Sequence, residues 1–131
     1  MDVYVVDTHT LFWYLTSDSR LTGRAAEITA RADRGAALLI VPIIVLAEFY
    51  SVRQKVGSGP SFPEIISMLV QGAQFEFASS TLDDVEQFDD LSGISDIHDR
   101  MIAAMARRLG CPLLTRDAVL SQSDLVDTIW D

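Results

Sequence analysis

The sequence predicts an α/β domain with a central parallel sheet flanked by helices on both faces. Short apolar runs of strand length alternate with longer segments whose apolar residues recur at helical spacing. Gly35, the Gly57–Pro60 run and Gly110 stand at segment ends, where helices stop. With 131 residues and 49% apolar content, the chain has the size of one ordinary domain and enough material for a core. No internal repeat or low-complexity segment interrupts it, so a single domain over residues 1–131 is expected.

Val3 to Val6 is a buried strand ending at Asp7, and THTLFWYL starts a helix just after that acid. Leu21 to Arg34 is an exposed second helix closed by Gly35, followed by a buried strand from Leu38 to Val41. Pro42 suits the first turn of the next helix, about Ile43 to Lys55, which the GSGP run stops. Phe62 to Gln71 is amphipathic, Gln74 to Ala78 alternates as a strand does, and Leu82 to Leu91 is an acidic surface helix whose Asp83, Asp84, Asp89 and Asp90 form a solvated face. Ile97 to Leu109 is strongly helical. Pro112 to Thr115 is a short strand, Ala118 to Leu120 a helical turn, and Val126 to Trp130 a last strand.

Composition narrows the function classes. The longest apolar run, Ala36 to Ala47, contains Pro42 and falls short of the roughly 20 residues of a membrane span. The start, MDVYVVD, carries two acids and lacks the basic segment of a signal peptide. A soluble, cytoplasmic protein with no membrane association is expected. The single Cys111 forms no internal disulfide and reads as a small core residue. Ten basic and 19 acidic residues give a formal charge of −9, which argues against a nucleic-acid-binding surface. That objection weakens where acids converge, because bound divalent cations reverse the local field.

Several acids stand where convergence is expected. In open parallel sheets the functional crevice lies outside the carboxyl ends of the strands. Asp7 ends the first strand, and Asp117 follows the late strand in LLTRD. Asp99 falls in the first turn of the helix in SDIHDRMIAAMA. Glu48, the only charge in LIVPIIVLAEFY, is about a turn and a half into the helix after the second strand. Asp7 and Asp117 equally suit helix caps, and Asp99 suits a helix start capped by Ser95 or Asp96. Capping does not explain Glu48, which needs a proton, a cation or an ion pair, Arg53 and Arg100 being the candidate partners. Carboxylates that share a site without counterions repel, and hard divalent cations with oxygen ligands, Mg²⁺ or Mn²⁺, remove the repulsion. His9 and His98 lack zinc-site spacing and read as helix-start or surface residues. Phe12 and Trp13 follow core spacing. Thr8 and Thr115 stand next to or near key acids, to orient a metal-bound water or to make a local backbone bond.

Three stretches, VYVVDTHTLFWYL, VLAEFYSV and DIHDRMIAAMARRLGCPLLTRD, resemble the PIN domain, and within it the VapC-like ribonuclease toxins of toxin–antitoxin pairs. The resemblance runs from about residue 2 to residue 130. It implies a metal-dependent endoribonuclease, often a homodimer, restrained by a cognate antitoxin that covers the site. Carried over by position, the acidic site falls on Asp7, Glu48, Asp99 and Asp117, with Asp96 auxiliary. The segment before Asp99 reads SDIH where many relatives have a Pro and an aromatic residue.

Such a site performs metal-assisted phosphodiester hydrolysis, in which the cation lowers the pKa of a bound water. Asp7 and Asp117 are the expected direct ligands, completed by Glu48 and Asp99. Arg100 and Arg116, next to site acids, are the expected contacts to the RNA substrate, with Arg107 and Arg108 further along the helix of Arg100. A phospho-acceptor receiver domain fits poorly, because the only lysine, Lys55, lies in an early helix. The stronger alternative is a non-catalytic PIN-like module that binds RNA or protein.

Overall fold

The first strand, β1 (Asp2–Val6), lies at the centre of a wholly parallel five-stranded sheet in the computed structural model, which describes residues 1–131. The other elements follow as α1 (Thr8–Leu15), α2 (Gly23–Asp33), β2 (Ala37–Pro42), α3 (Ile43–Val56), α4 (Phe62–Gln71), β3 (Phe75–Ala78), α5 (Leu82–Glu86), α6 (Ile97–Leu109), β4 (Leu113–Leu114), α7 (Ala118–Ser121) and β5 (Thr128–Ile129). The strand order is β3-β2-β1-β4-β5. Val5 and Val6 are both buried, as are Leu39, Ile40 and Val41 in succession, so both faces of the central strands are covered. This is the expected fold class. No helix is long and apolar enough to cross a membrane.

Local chemistry explains where the elements begin and end. The side chains of Asp7, Asp96 and Asp117 each accept a backbone N–H bond in the first turn of α1, α6 and α7. Gly57 and Gly110 close α3 and α6 with φ of 71° and 64°, a left-handed conformation that costs a residue with a Cβ. The core then forms where these elements meet. Phe12 of α1 and Phe49 of α3 pack with ring centroids 5.2 Å apart, and Ala103 and Ala104 of α6 are fully buried. The end of the chain is fixed to α2, because the Ala25 N–H donates to Trp130 O at 2.8 Å.

The strands are shorter than expected at the late end, Leu113–Leu114 and Thr128–Ile129 in place of 112–115 and 126–130. Cys111 is half-buried at the margin of the core, not inside it. The acidic helix departs more. It stops at Glu86, and residues 87–93 form turns in which Ile94 N–H donates to Leu91 O at 2.9 Å. Asp89 and Asp90 would have stood near a helix C-terminus, where the dipole disfavours negative charge. Breaking the helix there also lets Leu91 and Ile94 enter the core.

Nor is that acidic face wholly solvated. Asp84 is fully buried; it accepts the Thr81 N–H and pairs through both oxygens with Arg108, at 2.6 and 3.2 Å. This pair fastens α5 to α6. Replacing Arg108 with Met strands a buried carboxylate, and urea unfolding should show a loss of about 3 kcal/mol. The double variant D84N/R108M should recover part of that loss.

Candidate active site

The chain leaves β1 towards β2 on one side, and leaves β4 towards β5 on the other. Between β1 and β4 the connections diverge, and open parallel sheets have their functional crevice at such a point. A cleft of about 900 Å³ opens there, lined by Asp7, Glu48, Asp96, Asp99 and Asp117. The four acids expected to converge therefore do so, each from a different element.

Asp7 is the most deeply placed of them. It follows β1, is 8% exposed, and its Oδ1 accepts the Thr10 N–H at 2.9 Å. Its Oδ2 accepts from the Thr115 hydroxyl at 2.5 Å, and Thr115 Oγ1 in turn accepts the Asp117 N–H at 3.0 Å. One buried hydroxyl thus ties together the two acids that follow neighbouring strands. Burial pushes the Asp7 carboxyl above its ordinary range, and the bonds from Thr10 and Thr115 oppose that rise. Asp117 caps α7 through Oδ1 to Leu120 N at 3.0 Å. The capping roles and the placement at one site coexist.

Glu48 is not in a dry interior, nor is it paired with arginine. Its side chain is 28% exposed on the cleft wall, and of α3 only Val45 and Phe49 are fully buried. Arg53 donates to Pro60 O and Arg100 to Ile94 O, so neither expected partner reaches it. Instead Oε1 accepts from the Thr8 hydroxyl at 3.0 Å, and Oε2 lies 3.3 Å from His98 Nδ1. Thr8 and Thr115 both give their hydroxyl protons to site carboxylates.

Asp99 stands in the first turn of α6, its N–H bound to Asp96 Oδ1 at 3.0 Å. Asp96, not Ser95, is the cap. Burial raises the Asp99 carboxyl to about 7, with further upward pushes from the charges of Asp96, Asp117, Glu48 and Asp7. No Lys or Arg is ion-paired to Asp7, Glu48, Asp99 or Asp117.

The expected RNA contacts divide. Arg116 lines the cleft, whereas Arg100 is directed at Ile94 O with its guanidinium over the Phe88 ring, and Arg108 is held by Asp84. Sequence reasoning missed His98, Arg20 and Lys55 as cleft residues. His98 sits one residue before Asp99, a signal that was available; Arg20 and Lys55 reach the cleft through the fold alone.

Carboxylate oxygens dominate the donor set, with five acids against His9 and His98, which suits a hard divalent cation. No three Asp, Glu, His or Cys side chains are ready-arranged to enclose a metal ion. The set fits a hard divalent cation in the looser form only, one or two carboxylates with the remaining positions left to water and phosphate.

A family model for the PIN domain matches residues 4–124. The chain belongs to the PIN-domain family. No curated protein matches it. Solved structures with this PIN fold include VapBC2 from Rickettsia felis bound to a DNA fragment from its promoter, 15% identical with a TM-score of 0.66, covering 98% of this chain and 99% of that one. VapC20 of Mycobacterium tuberculosis, a toxin that cleaves the sarcin-ricin loop, is 16% identical with a TM-score of 0.65 and the same coverage of 98% and 99%. A toxin–antitoxin complex from Klebsiella pneumoniae is 15% identical with a TM-score of 0.65, over 96% of this chain and 95% of that one.

Two measurements check the electrostatics of this PIN domain. Because the Asp99 carboxyl is higher in the folded protein than its ordinary 3.8, folding favours its protonated form. Without divalent cations, the contribution of Asp99 to stability should be fully present below about pH 4 and be lost as the pH rises through about 7, amounting to about 2 kcal/mol or less at this half-exposed position. Thermal melts should show wild type losing stability relative to Asp99→Asn between about pH 4 and pH 7. Thr115→Val removes a donor to a buried carboxylate and should cost about 2 kcal/mol near neutral pH, read by urea unfolding.

Proposed function

We propose that this PIN domain is a metal-dependent endoribonuclease that hydrolyses RNA phosphodiester bonds with Mg²⁺ or Mn²⁺, and that it is the toxin of a toxin–antitoxin pair, restrained by a cognate antitoxin. The observation that supports this best is the meeting of Asp7, Glu48, Asp99 and Asp117 at one cleft with no Lys or Arg paired to any of them. Such a cluster is costly unless a cation neutralises it. The toxins and toxin–antitoxin complexes that share the fold support the RNA substrate and the antitoxin. The same reading has the protein acting as a homodimer in the cytoplasm.

Asp7 and Asp117 would hold the cation, with Glu48 and Asp99 binding it directly or through water. A bound divalent ion supplies an acidified water and offsets charge that develops on the phosphate. The chain's own residues do the positioning. Thr115 keeps Asp7 turned towards the cleft and favours its ionised form. Thr8 orients Glu48, and the Asp96 cap fixes the first turn of α6 that carries Asp99.

The test is cleavage of a mixed single-stranded and structured RNA pool, with Mg²⁺ or Mn²⁺ and with chelator. Cleavage should require the metal and should be lost in Asp7→Asn and Glu48→Gln. The Glu48→Gln protein should keep its thermal stability without metal, or gain some, because one negative charge leaves the cluster. Unchanged cleavage in chelator would reject the reading. Absence of both cleavage and Mn²⁺ binding would favour the non-catalytic PIN-like module.

A further inference from the structure

Beside the acidic cleft lies a second depression, of about 450 Å³, and the two share Arg20 and Arg116. We propose that this depression is the path by which an RNA strand continues past the acidic centre, with a backbone phosphate next to the scissile one held between Arg20 and Arg116. The proposal rests on the nuclease reading only for which phosphate is cut.

The two guanidinium groups are placed in advance. The Arg20 and Arg116 carbons lie 5.0 and 5.9 Å from the Trp13 ring centroid, within the range of cation–π attraction. Trp13 is itself 8% exposed and packs edge-on against Trp130 at 5.7 Å. A rigid indole thus limits where both cations go, which lowers the conformational cost of gathering them around an anion.

Arg116 is unpaired, and Arg20, 56% exposed, gives two N–H groups to Asp18 and keeps the others. Arg116 makes no ion pair and no side-chain hydrogen bond, in a chain with 19 acids to 10 bases. Arg20 is paired only with Asp18, two residues away in its own turn. A free guanidinium next to so acidic a cleft is otherwise unexplained. The lining also changes character across the shared arginines: five acids line the cleft, whereas the depression has Thr22, Ser121, Trp130 and a single acid, Asp131. Asp131 lies beside Gly23 at the start of α2. A strand crossing from cleft to depression therefore meets a cation-neutralised site first and protein cations next. Phosphate contacts of this kind fix register without reading sequence.

The test measures anisotropy of a short fluorescent single-stranded oligoribonucleotide with the full chain in Mg²⁺, over a range of salt, and RNA integrity on a gel from the same samples. Each single-strand phosphate contact contributes a slope of about 0.7 in log affinity against log salt. The R20Q/R116Q double variant should bind several-fold more weakly with a slope lower by about 0.7, the loss of one phosphate contact, and R20K/R116K should restore much of the slope. Circular dichroism reports folding; if the double variant does not fold, R116Q, which loses only its place over the Trp13 ring, should weaken binding and lower the slope by part of that ~0.7. Equal affinity and slope in wild type and variant, or no binding by the wild type, overturns the proposal. Binding with a slope change but intact RNA supports this path and counts against the nuclease; cleavage with equal slopes does the reverse.

Discussion

The desolvated carboxylate of Asp7 is the constraint around which the site is built. It ends the central strand of the sheet, where burial disfavours its charge, and the Thr10 amide and the Thr115 hydroxyl counter that penalty. Thr115 can do so only because β1 and β4 pair in one register, Val5 against Leu113 and Val6 against Leu114. Slipping a strand by one residue would turn its side chains to the opposite faces and break the bridge to Asp117. The burial of Val5, Val6, Leu113 and Leu114, which fixes the register, therefore also fixes the distance between two site acids.

The remaining acids are held by lighter means, and their environment is wetter. Glu48 is positioned across the cleft by Thr8 and faces His98, which are both adjacent in sequence to other site acids, Asp7 and Asp99. Each acid is thus tied to the element that carries the next. The Asp99 carboxyl, with no hydrogen bond of its own from the protein, registers the crowding of its neighbours most directly. A cation in the cleft would relieve this repulsion and reverse the local field of a chain whose formal charge is −9.

The basic residues are sorted by the same fold. Arg108 is committed to buried Asp84 and Arg100 to the Ile94 carbonyl, so these two cations of α6 serve packing. Arg20 and Arg116, far apart in the chain, both stand against the Trp13 ring at the margin of the cleft. Charge on a helix face gave no means of telling these two outcomes apart, because it does not reveal which neighbour a long side chain will find.

The sequence by itself determined the alternation of strands and helices, the parallel sheet, the glycine stops and the positions of Asp7, Glu48, Asp99 and Asp117. These follow from local signals: apolar periodicity, caps, and the rule that strand ends face the crevice. Tertiary structure alone decided that α5 ends early, that Asp84 is buried, that Glu48 meets Thr8 and His98 in place of an arginine, and that Arg20 joins the site. Those outcomes depend on contacts between residues such as Thr8 and Glu48, 40 positions apart, or Asp7 and Thr115, 108 apart. Periodicity carries no information at that separation. Side-chain direction at such distances is set by how the packed layers meet.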